Sequence, residues 1–108
     1  MEEKYFDIVS EPSKGEGLSL KVSGRIDSGN AAAFDTEVSA LRAKDPSGSF
    51  TMDFSELEYI SSAGLRALLK LQKAEKEKIA LVNVRDGVYH VLNATGFTAM
   101  FDVKRQEA

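Results

Sequence analysis

A chain of 108 residues, 43% hydrophobic and 29% charged, can build one core and is neither disordered nor multi-domain in composition, so a single domain over residues 1–108 is expected. A net charge of −3 argues against nucleic acid, whose phosphates call for a concentrated basic surface, and the absence of cysteine excludes disulfides, thiolate zinc sites and a thiol nucleophile. No run is long enough to insert in a membrane, and the opening MEEKYFDIVS lacks the basic-then-apolar layout of a signal peptide, so a cytoplasmic protein is expected.

Residues 5–10 alternate, with Phe6 and Ile8 on one side and Asp7 and Val9 on the other, which predicts a strand. The Pro/Ser/Gly loop of residues 11–17 leads to LSLKVSG, where Leu18, Leu20 and Val22 alternate with polar residues, so the two runs read as a hairpin. GRIDSGN (residues 24–30) enters a helix that Ser28 or Asn30 can cap; Asp27 can cap it too or bind a cation. Phe34, Val38 and Leu41 form its apolar stripe, and Pro46 and Gly48 end it. FTMDF (residues 50–54) reads as a strand and SELEYIS as a connection. A leucine-rich helix is expected from Ser62 to about residue 77, followed by a strand at residues 79–84 whose unbroken apolar run suggests burial on both faces. Val88, Val91 and Leu92 predict a short helix with Gly96 just past its end, and residues 100–105 a weak last strand. The order β-β-α-β-α-β-α-β predicts an α/β fold: a mixed four- to five-stranded sheet with helices packed against it.

The chemistry concentrates in YISSAGLRALL, where a strand region meets a helix start. Unpaired amides and the positive end of the helix dipole favour an anion there, so a serine at that point can cap the helix or carry a phosphate. Two hydroxyls stand where one would cap, and the small Ala63 and Gly64 that follow suggest a backbone open to another molecule. A nucleophile elbow is not present, since Ile60 stands where the motif needs its first Gly, and His90 is the sole histidine. SKGEG has two glycines but neither the Lys-Ser/Thr pair nor the helix of a phosphate loop. Arg66, Lys70 and Lys73 form a basic ridge one turn after the serines, able to steer an acidic partner or simply to face solvent.

MDFSELEYISSAGLRALL resembles the signature segment of the STAS domain found in bacterial anti-sigma factor antagonists: Asp53-Phe54-Ser55, then Tyr59 to Leu65. Gly24, Ile26 and Asp27 resemble the family's G-x-[LI]-D loop, and Leu92, Gly96 and Phe101 its late L…G…F pattern. The resemblance implies a protein that is not an enzyme. Its unphosphorylated form would bind an anti-sigma factor, a GHKL-type serine kinase, and so free a sigma factor. Phosphorylation of a loop serine would end binding, and a PP2C-type phosphatase would restore it. The chain itself would need no cofactor, ATP and Mg²⁺ belonging to the kinase. Aligned on Gly64, the family motif D-S-[ST]-G puts its Asp on Ser61 and its second hydroxyl on Ala63, which makes Ser62 the favoured phosphoacceptor and Ser61 the second choice. The partner would be met by Asp27, Ser28, Asn30, Ser61, Ser62, Ala63, Gly64 and Arg66. The competing implication is a STAS subunit that binds an ATPase of a lipid-transport complex without phosphorylation.

Overall fold

In the computed structural model of this chain, which describes residues 5–12, 15 and 17–107, the two alternating runs pair as β1 (Phe6–Glu11) and β2 (Gly17–Ile26), antiparallel, with Phe6 opposite Gly24 and Glu11 opposite Ser19. The remaining elements are α1 (Ala31–Lys44), β3 (Ser49–Ile60), α2 (Ser62–Lys73), β4 (Ala80–Val84), α3 (Asp86–Ala94), α4 (Phe97–Met100) and β5 (Asp102–Arg105). One five-stranded sheet has the order β1-β2-β3-β4-β5, and every pair after the hairpin is parallel. The expected mixed α/β architecture is therefore present, with one short helix, α4, added before the last strand. Ser13, Lys14 and Glu16 of the glycine-containing SKGEG loop lie outside the described residues.

Parallel connections of one hand that step along a sheet in one direction leave their helices on one face. The core follows that geometry. Leu20, Val22, Met52, Phe54 and Leu81 of the sheet are fully buried, together with Phe34 and Val38 of α1, Leu68 of α2 and Leu92 of α3, in a single cluster. The alternate residues Lys21, Asp53 and Val82 are only half-buried. This corrects the reading of residues 79–84 as buried on both faces: Leu81 and Val84 point inward, while Asn83 is exposed and sits at a positive φ of 54° where the β4–β5 register slips. Gly96, with φ 81°, ends α3 in the left-handed conformation its sequence position suggested.

The strand expected to end at Phe54 runs on to Ile60. Two bulges explain why its pattern looked irregular. Lys21 faces Asp53 but Ser23 faces Glu56, and Gly24 faces Leu57 but Arg25 faces Tyr59, so β3 carries one extra residue at each place. Its buried residues step by two through Phe50, Met52 and Phe54, then by three to Leu57 and Ile60. The first bulge is held by Asp53, whose Oδ1 accepts the Ser55 amide at 2.8 Å, and by Arg85, whose Nε donates to the freed Ser55 carbonyl at 3.0 Å. Opposite the second bulge, Gly24 takes φ 95°, and the amide of Arg25 donates to Tyr5 O at 2.7 Å. The helix expected to reach about residue 77 stops at Lys73; Gln72 turns the chain into β4 by donating to Glu77 O at 2.9 Å and accepting the Ile79 amide at 2.8 Å.

Candidate functional site

The bulges deliver Ile60 beside Ile26, so the carboxyl ends of β2 and β3 release their loops at the same point of the sheet edge. The junction is tied directly: the Ser61 amide donates to Ile26 O at 2.8 Å. The loops holding Asp27 and the serine pair are thus neighbours.

The first loop is self-supporting. Asp27 Oδ1 accepts the amides of Gly29 at 2.8 Å and Asn30 at 3.1 Å. Asn30, the buried N-cap residue of α1, does not use its side chain on the helix; Oδ1 accepts the Asp27 amide at 2.8 Å and Nδ2 donates to Arg25 O at 2.9 Å. The expectation that Ser28 or Asn30 caps α1 through its side chain is corrected accordingly. Asn30 instead locks the strand end to the loop, and Ser28 is exposed. Asp27 serves the turn, and no cluster of His, Cys, Asp and Glu able to hold a metal occurs among the described residues.

The second loop separates the two serines. Ser61 is the N-cap of α2: its backbone is extended, with φ −87° and ψ 174°, and its Oγ accepts the Gly64 amide at 3.2 Å. Ser62 is the first helical residue, with an exposed side chain. Its amide and that of Ala63 belong to the first turn, where amides have no partner along the helix. An anion on the Ser62 hydroxyl would sit at the positive end of the α2 dipole. Ser61→Ala should lower stability by about 1 kcal/mol, read from a urea midpoint at unchanged slope; an unchanged midpoint would show that the 3.2 Å bond contributes nothing.

Gly64 is buried and has a different reason from the one its sequence context suggested. A Cβ built there would stand 2.6 Å from Ile60 Cγ1 and 2.9 Å from Ile26 Cγ2. Its missing side chain lets α2 sit on the strand ends, and its amide is held by Ser61, so room for an approaching molecule is not what the glycine provides. Ala63 is half-buried and Arg66 exposed, both lining a groove between α1 and α2. The basic ridge is real as a surface feature: Arg66, Lys70 and Lys73 are all exposed, and Lys70 reaches Asp35 of α1 at 3.0 Å. His90 lies exposed on α3.

Sequence reasoning overlooked one neighbour of the site. Tyr59 is 43% exposed, and the Arg25 guanidinium lies 4.9 Å from its ring centre. Tyr59 and Ile60, adjacent on β3, point to opposite faces, Ile60 into the core, and the register after the second bulge sets Tyr59 opposite Arg25. No helix among the described residues is long and apolar enough to cross a membrane.

The fold has solved counterparts. An anti-sigma factor antagonist from Mycobacterium paratuberculosis superposes with a TM-score of 0.79 at 24% identity, covering 92% of this chain and 85% of that one. The anti-sigma factor antagonist SpoIIAA, in its unphosphorylated form, gives 0.71 at 16% identity, with 90% and 87% coverage. No curated protein sequence matches. The sequence matches the family model described as "Mlab, STAS domain" over residues 9–102, a span that holds the second half of β1, all of β2, both loops, the serine pair and the start of β5. A mixed sheet with its helices on one face and two loops joined at the carboxyl ends of β2 and β3 thus coincides with a family match over most of the sequence, and the chain belongs to the STAS domain family.

Proposed function

We propose that this chain is an anti-sigma factor antagonist that works by binding and not by catalysis. Its unphosphorylated form binds an anti-sigma serine kinase of the GHKL type and releases a sigma factor. Phosphorylation of Ser62 ends that binding, and a PP2C-type phosphatase reverses it in the cytoplasm. The observation that carries the reading is the division of labour at the helix start: the Ser61 hydroxyl is engaged with the Gly64 amide, while Ser62 is exposed one residue later. The two solved counterparts, both anti-sigma factor antagonists, support the same role.

The switch would be local. A phosphate adds roughly −1.5 to −2 charge at a helix end that favours anions, so the fold need not respond. A partner surface packed on Ser62 would have to desolvate that charge or oppose it with its own anions, and it would leave. Incubation with the serine kinase of the source organism and ATP, followed by mass spectrometry, should find phosphate on Ser62; phosphate on neither serine would sink the proposal. Ser62→Ala should keep kinase binding and abolish modification, whereas Ser62→Asp should weaken binding by about tenfold or more.

The second reading, a STAS subunit that binds a lipid-transport ATPase, is favoured by one feature: Ser61 stands where the phosphorylated motif carries Asp. Retention of the partner by Ser62→Asp, with an ATPase and no kinase recovered, would select it.

A further inference from the structure

Between α1 and α2, beside the serine loop, runs an open groove of about 310 Å³. Its floor is made of small side chains, Ala31 and Ala32 on one helix and Ala63 and Ala67 on the other. The Lys70–Asp35 ion pair spans the two helices at 3.0 Å and belongs to the same lining. An alanine floor between two helices admits the ridge of a third at the short end of the 8–10 Å range of interaxial distances.

The charged lining of this groove leaves one cation over, because the Lys70–Asp35 pair cancels and Arg66 remains. Asp35 is already held by Lys70 and accepts the Ser39 hydroxyl at 3.0 Å. Arg66 is exposed, lines the groove, and has no carboxylate partner among the described residues. The exposed Lys73, about two turns further along α2, adds to that positive charge, on a chain whose net charge is −3. Arginine presents a planar fork that takes a carboxylate through two parallel hydrogen bonds, and it is enriched among the residues that dominate interface energies.

We infer that the α1/α2 groove seats an acidic helix of the partner protein, with a partner carboxylate on Arg66. The inference rests on the partner-switching reading and names the chemistry of its docking surface. It also supplies a route for release. Ser62 and Arg66 stand four residues apart on α2, one helical turn, so they share a face. A phosphate on Ser62 competes with the partner's carboxylate for the same guanidinium and repels that carboxylate at the same time.

The test uses the full chain and the purified serine kinase of the source organism. Arg66→Glu should weaken kinase binding by about 30-fold or more, with an unchanged melting temperature because the side chain is exposed. Lys78→Glu, at the other end of the sheet, should bind as the wild type does. Hydrogen exchange on the complex should protect an acidic helical segment of the kinase, and reversing an acidic residue of that segment to Lys should restore binding to Arg66→Glu. Wild-type affinity in Arg66→Glu overturns the inference while leaving partner switching intact. So does protection of a kinase segment without acidic residues, or closure of the groove by a second copy of this chain. A wild-type chain that binds no kinase overturns both readings.

Discussion

Arg42→Ala is expected to cost the fold about 3 kcal/mol or more, a large share of the ~5–15 kcal/mol that holds a domain of this size together. Arg42 Nε and Nη2 grip the two oxygens of Glu75 at 3.1 and 2.9 Å, joining α1 to the chain just past α2. The same guanidinium donates to the carbonyls of Asp45 at 3.0 Å and Gly48 at 2.9 Å and lies 5.1 Å from the ring centre of Phe50. Both charged side chains are mostly buried, at 12% and 14% exposure, so screening by water is limited. Truncation strands a carboxylate and two loop carbonyls together. Arg42→Lys should recover less than half of the loss, since an ammonium cannot fork between two carboxylate oxygens and the loop. Urea denaturation at constant slope measures both; a wild-type midpoint for Arg42→Ala would reduce the pair to an ordinary surface contact. Partner binding should survive, because Arg42 sits by the amino end of β3 and the serine loop follows its carboxyl end.

Gly64→Ala carries the second large expectation, and its sign is the test. Helix propensity alone would raise stability by about 1 kcal/mol on replacing glycine with alanine. The new Cβ would instead meet Ile60 Cγ1 at 2.6 Å and Ile26 Cγ2 at 2.9 Å. Both are branched, stiff side chains in the core, so the helix start must lift off the strand ends or the isoleucines must leave their rotamers. A net loss of about 1–3 kcal/mol follows. Because lifting α2 also moves Ser62 and Arg66, kinase binding should fall with stability. A variant more stable than the wild type would mean that the glycine is kept for a partner's approach, as its sequence context suggested.

The cases of β3 and Gly64 show where reading the sequence reached its limit. In residues 50–54 the apolar spacing is two, so the strand was legible; beyond Phe54 the spacing becomes three, because each bulge inserts a residue with no counterpart on β2. Bulges arise from pairing with another strand, and local alternation does not register them. The same holds for Asn30: a polar residue before a helix reads as a cap, but this one turns back to Arg25 and Asp27, because the end of β2 lies within its reach.

By itself the sequence determined the order of strands and helices up to the short α4, the helix start at the serine pair, and the likeness to STAS domains. These rest on hydrophobic period, turn residues and motif spacing, which are properties of neighbours along the chain. The tertiary structure decided that Ser61 caps the helix and Ser62 is exposed, that Gly64 is needed inside the molecule, and that Arg66 stands over an alanine-floored groove. Each of those depends on how far β3 has slipped against β2 and where α2 therefore lands beside α1, a registration between residues far apart in the chain that no local pattern encodes.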